Sequence, residues 1–152
     1  AGKENSLSVP TWKRSTSSAD YIYYCFELNC KLGEIVMKKE TKYRKTYGDH
    51  LIKTGLEALS HLQVANSIFI GKTATEAEFR QRRAHLKEAV GLLEHLSTTA
   101  YIFIELVRNN GQESNQKLNN QEEYIGSKVE AIIRKTKGII KNDAQIYKKY
   151  IK

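Results

Sequence analysis

The sequence predicts an all-α protein, an up-down four-helix bundle. Apolar residues recur in steps of three and four over four long stretches, and no alternating strand pattern interrupts them. The links between the stretches are short, so consecutive helices should pack as antiparallel neighbours around one core. A chain of 152 residues is the right size for a single domain with a modest core.

Residues 1–17 hold the one proline, Pro10, and no periodicity, and read as an arm or tail. Trp12, beside Lys13 and Arg14, is placed to anchor that arm on another surface. The bundle is expected over residues 18–152. In its first helix, from about Ser18, Ile22, Cys25, Leu28, Leu32 and Ile35 face inward. The second is expected from Tyr47 to Ile70 with Ile52, Leu56, Leu59 and Leu62 inward, and with Gly71 as its C-terminal cap. Thr75 and Glu78 form a capping box that opens the third, about 35 residues long. Its stripe is Phe79, Leu86, Leu93, Ala100 and Val107, in heptad steps. Residues 109–119 read as a polar loop around Gly111. A second capping box at Asn120 to Glu123 is expected to start the fourth helix, whose inward residues are Ile125, Val129, Ile132, Ile139 and Ile146.

Several chemistries lack their residues. Cys25 and Cys30 are the two cysteines; five apart on a helix, they lie on different faces and read as reduced core thiols. Gly71-Lys72-Thr73 matches the end of a phosphate-binding loop, but the glycine required five residues earlier is Asn66. A di-metal carboxylate site in a bundle needs Glu-x-x-His pairs. The positions three before His50, His61, His85 and His95 hold Tyr47, Ala58, Arg82 and Leu92, and Glu57 with His61 reads as a surface pair. No metal, cofactor or catalytic triad is therefore expected, and the protein is expected not to be an enzyme. No apolar run reaches the roughly 18 residues of a membrane span, and residues 1–15 contain no apolar core of a signal peptide. The expected setting is the cytoplasm, with no membrane partner.

Charge is the informative signal. Lys plus Arg number 25 against 17 Asp plus Glu, a formal +8, with a pI near 9.4. Such a field favours polyanionic partners. Three clusters carry it. On the fourth helix, Arg134, Lys137, Lys141 and Lys148 fall within a sector of roughly 60° at about 100° per residue, opposite the isoleucines. On the third, Arg80, Arg83 and Lys87 form a shorter row. Between the first two helices, Lys38, Lys39, Lys42, Arg44 and Lys45 crowd around a single anion, Glu40, with Tyr43 and Tyr47 offering rings for base stacking. Any one cluster is an ordinary solvated face; three together in one basic chain point to nucleic-acid binding.

Two polar residues break the apolar faces. Arg82 projects with Leu86 and Leu93, and Asn66 with Ile52 and Leu59. A buried Arg is costly unless paired, so Arg82 should meet a carboxylate or backbone carbonyls, and both residues are candidates for a subunit interface.

The order of elements, with Lys42-Tyr43-Arg44 leading to Tyr47-Gly48-Asp49-His50-Leu51, Ala65-Asn66-Ser67 closing the second helix, and Phe79-Arg80-Gln81-Arg82-Arg83-Ala84-His85-Leu86 opening the third, resembles the accessory variability determinant (Avd) proteins of diversity-generating retroelements. Those belong to a wider four-helix family with the proteins encoded in 23S rRNA intervening sequences. The likeness runs from about Ser18 to Tyr150. It implies a ring-shaped homopentamer in a bacterial or phage-encoded setting. The ring would be a non-catalytic partner of a reverse transcriptase and its template RNA, and of the cDNA, supporting mutagenic cDNA synthesis. The alternatives are the ribosomal-RNA-associated branch of that family and a structural helical oligomer without nucleic acid.

Overall fold

The computed structural model describes residues 20–111 and 113–151, and all its regular elements are helices. The arm at 1–17, with Trp12, lies outside the described residues. Helix α1 spans Asp20–Met37. A helical turn at Thr41–Tyr43 and a π-helical segment at Arg44–Gly48 lead without a break into α2, Asp49–Ser67. Helix α3 spans Glu76–Asn110 and α4 spans Asn115–Tyr150.

Each helix packs on two others: α1 on α2 and α4, α3 on α2 and α4. Polar contacts give their directions. Tyr21 at the start of α1 reaches Asn66 at the end of α2, and Arg82 at the start of α3 reaches Ala65 of α2. Arg108, late in α3, meets Asn115 and Glu122, early in α4. Lys128 and Lys135 of α4 pair with Glu27 and Asp20 of α1. Neighbours therefore run antiparallel around a single core.

Helix α1 buries the five expected residues, with Tyr21 and Val36 added. In α3 the heptad stripe is buried from Phe79 to Val107, and the Thr75–Glu78 capping box is made. Burying the larger aliphatic and aromatic side chains contributes about 1.5–3 kcal/mol each.

Helix α2 is rotated from the expected register. Leu51, Ala58, Leu62 and Ala65 face inward, whereas Leu56 is 53% exposed and Ile52 and Leu59 sit at the margin. Small residues explain the rotation: a Cβ on Gly55 would lie 2.5 Å from Asn29 Oδ1, so the helix presents its slimmest side to α1. The end of α2 also differs. Its C-cap is Ile68, and Gly71 does not take the left-handed conformation of a capping glycine. The loop after α3 is shorter than expected. Ser114 caps α4 by accepting from Lys117 N–H at 3.2 Å, and Asn120 to Glu123 lie inside the helix. Leu118 and Gln121 of that polar stretch are buried, which supplies the packing that draws it into the helix. Cys25 is buried but Cys30 is exposed, so only one of the thiols belongs to the core.

Helix α3 is long and largely apolar. By length and composition it contains a window apolar enough to cross a bilayer, with mean hydropathy 1.3 and 44% of it buried inside the bundle. Hydroxyl residues such as Ser97, Thr98 and Thr99 interrupt apolar runs in this helix while lowering its mean hydropathy little.

Candidate nucleic-acid interface

The third and fourth helices bring two of the three basic clusters together. Because α3 and α4 run antiparallel, the row Arg80, Arg83, Lys87 lies alongside the second half of α4. Lys87 and Lys137 stand on either side of a groove of about 260 Å³, floored by Val90 and Ile140. Arg134, Lys137, Lys141 and Lys148 are all exposed. Among the described residues no carboxylate pairs with any of them. From Arg134 to Lys148 the stripe extends about 21 Å at 1.5 Å per residue. It ends there because Glu130 and Glu123 occupy the same face about one and three turns earlier. Lys148, in the last turn of α4, also suits the helix dipole.

The α3 row is less free. Arg80 bonds Glu76 at 2.7 Å, and Glu76 also accepts from the Tyr147 hydroxyl at 3.2 Å. The Arg83 guanidinium lies 4.6 Å from the Phe79 ring centre, and Phe79 packs on Tyr147 with centroids 4.4 Å apart. The Arg83 Nε is buried without a hydrogen-bond partner. That leaves a flat cation fixed on an aromatic shelf at the edge of the groove.

The third cluster is broken up. Lys39 is 6% exposed, and its ammonium donates to Glu113 and Gln121, so it ties the end of α1 to the start of α4 and offers nothing to a ligand. Tyr43 is a core residue, not a stacking platform, and Tyr47 packs on the core beside it. Lys38, Lys42 and Lys45 remain exposed, while Arg44 is half-buried and donates to Thr41 at 3.4 Å. Lys42 pairs loosely with Glu40 at 3.8 Å.

Cations not singled out by sequence lie on the α1–α4 side, and they are compensated. Lys128 bonds Glu27 at 3.2 Å and sits over the Tyr24 and Tyr124 rings at 4.9 and 5.5 Å. Lys135 bonds Asp20 at 2.9 Å, and that hydrogen bond raises its pKa. One helix thus carries two kinds of lysine, spent on the α1 side and unspent on the outer side towards α3.

Arg82 finds its carboxylate within the chain. Its Nε donates to Asp143 Oδ2 at 2.6 Å and its Nη2 to Asp143 Oδ1 at 3.3 Å. Its Nη1 donates to the carbonyls of Ala65 and Ile68 at 3.1 and 3.2 Å. The guanidinium caps the end of α2 where a glycine was expected, and locks α2, α3 and α4 together. Asn66 is exposed and accepts from the Tyr21 hydroxyl at 3.3 Å. Burial pushes the Tyr21 hydroxyl up to about 12, against the opposing pull of Arg82.

The histidines, scattered in sequence, meet across α2 and α3. His50 and His95 approach to 2.9 Å between their Nε2 atoms. His61, expected beside Glu57, instead meets His85 at 2.8 Å between their Nδ1 atoms. No protein-family model matches the chain, and neither a curated protein nor a solved structure matches it.

Proposed function

We propose that this is a non-catalytic RNA-binding protein whose backbone-contacting surface is the basic groove between α3 and α4. The observation that carries the reading is the uneven use of cations on α4. Lys128 and Lys135 are neutralised by α1 carboxylates, whereas Arg134, Lys137, Lys141 and Lys148 are exposed with no carboxylate partner among the described residues, and Lys137 shares a groove with Lys87. Ordinary solvated faces disperse their charges; this one concentrates a single sign along about 21 Å, enough for several consecutive phosphates.

In the terms of the Avd resemblance, the RNA is the template of a diversity-generating retroelement, the cDNA made on it is a further partner, and the protein partner is a reverse transcriptase. Self-association into a ring, five-membered by that resemblance, draws support from large apolar side chains that the bundle leaves outside, among them Leu56, Val64, Phe69, Tyr101 and Ile102.

The test is a salt titration of RNA binding. Affinity should fall linearly on a log–log plot, with a slope of about −0.7 to −0.9 per neutralised phosphate. Changing Arg134, Lys137, Lys141 and Lys148 to Gln should weaken binding and flatten the slope, while Lys128→Gln with Lys135→Gln should leave it nearly unchanged. The loss should be similar across RNA sequences, because phosphate contacts carry no base code. A folded quadruple variant with the wild-type slope would refute the groove as the binding surface.

A further inference from the structure

All four histidines of the chain are used in two pairs, each with one member on α2 and one on α3. The His50 and His95 rings stand nearly perpendicular, at 85°, with Nε2 atoms 2.9 Å apart and the Thr54 hydroxyl 3.4 Å from His50 Nε2. The His61 and His85 rings are tilted by 36° with Nδ1 atoms 2.8 Å apart. Nothing in the proposed RNA groove uses them. In each pair one ring nitrogen from α2 and one from α3 approach within 3 Å.

That separation carries chemical information. Imidazole nitrogens bind late divalent metals at about 2.0–2.1 Å. Two such bonds at right angles place the nitrogens about 2.9 Å apart, whereas tetrahedral bonds place them about 3.3 Å apart. The observed distances match right-angle coordination, the geometry of tetragonal or octahedral Ni²⁺ and Cu²⁺ sites built from nitrogen and oxygen ligands. We infer that the α2–α3 seam carries two bis-histidine sites for divalent ions of this class, one at His50 and His95 and one at His61 and His85. The absence of any Glu-x-x-His motif does not bear on them, because each pair is assembled from two helices.

Among the described residues no third His, Cys, Asp or Glu joins either pair, so water completes the coordination and the sites exchange their ions. The pairs are separated by eleven residues on α2 and ten on α3, about 15 Å at 1.5 Å per residue. A dinuclear hydrolytic centre needs its metals about 3.5–4 Å apart, so these are separate clips and not one catalytic centre. Each bound ion ties α2 to α3, one near the turn that joins them and one three helical turns away. The competing account of the same distances is an imidazole–imidazole hydrogen bond with no ion, one ring donating and the other accepting.

Titration of the full chain with NiCl₂ at neutral pH, with bound nickel measured after equilibrium dialysis, separates the two. The expected stoichiometry is two ions per chain. His50→Gln and His95→Gln, on different helices, should each remove the same ion. His61→Gln and His85→Gln should each remove the other, and His50→Gln combined with His61→Gln should remove both. Nickel should raise the melting temperature of the wild type over that in EDTA, with about half the rise in each single variant. Acidification should release both ions, because the ligating imidazoles must be neutral. Circular dichroism checks that each variant is folded, and a variant that fails the check is replaced in the comparison by its pair mate. A wild-type stoichiometry other than two, or losses that do not follow the two pairs, would overturn the assignment and leave hydrogen-bonded imidazoles only.

Discussion

Replacing Arg82 by Ala tests how the bundle is locked. Asp143 is 3% exposed and its main partner is the guanidinium, which is itself only 15% exposed at its side chain. Removing one member of such a pair leaves a charge with neither water nor a partner, at a cost of about 3–5 kcal/mol. The carbonyls of Ala65 and Ile68 lose their donor as well, although water entering the vacated space offsets part of that. For a chain of this size about 2–4 °C accompany each kcal/mol, so the melting temperature should fall by roughly 6–20 °C. Urea denaturation followed by circular dichroism gives the free energy directly. The double variant Arg82→Leu with Asp143→Leu should recover most of the loss, because two apolar groups of similar bulk need no mutual charge. A single-variant cost below about 1 kcal/mol, the range of exposed pairs, would refute the reasoning. So would a double variant as unstable as the sum of the two singles.

The rotated face of α2 predicts unequal costs for two leucines in one helix: Leu62→Ala should cost about 2–5 kcal/mol in urea denaturation and Leu56→Ala far less. The Glu78 carboxyl is held below the ordinary carboxylate range, first by the backbone N–H of Thr75 and then by its hydroxyl. Its capping contribution is therefore present at neutral pH and lost as acid takes the pH down through that lowered value; Glu78→Gln should remove this part of the pH dependence in stability measured from pH 7 to 3. Burial pushes the Cys25 thiol up to about 12, while Cys30 is exposed. A thiol reagent should accordingly modify Cys30 in the native protein and Cys25 only after denaturation.

Legibility in the sequence followed the size of the residues that do the packing. Helix α3 was readable because its capping box and its stripe of large apolar residues are both local signals. The existence of helix α2 was readable but its inward face was not, because Gly55, Ala58 and Ala65 point inward and the larger Leu56 points out. The start of α4 was hidden for a related reason: Leu118 and Gln121 are single contacts in a polar stretch, and only the helices they meet reveal them. Charge was legible as an amount and less so as an allocation. Lys39 looks like its neighbours until Glu113 and Gln121, 74 and 82 residues away, come into place. The same is true of the histidines, whose partners are 45 and 24 residues apart.

The π-helical segment ahead of α2 bears on which length changes this chain can accept. The N–H of Asp49 closes on the carbonyl of Arg44, five residues back, so the stretch holds one residue more than an α-helical turn would. Gly48 sits where an added Cβ would come within 2.8 Å of Val36 Cγ1. Deleting one residue there would draw the backbone into regular α-helix and turn everything before it by about 100° relative to α2. Tyr43 would swing out of the core, and Lys42 and Lys45 would change sides. This helical stretch has no freedom to change length. Natural variants that differ in length should therefore keep the spacing from Tyr43 to Leu51 constant.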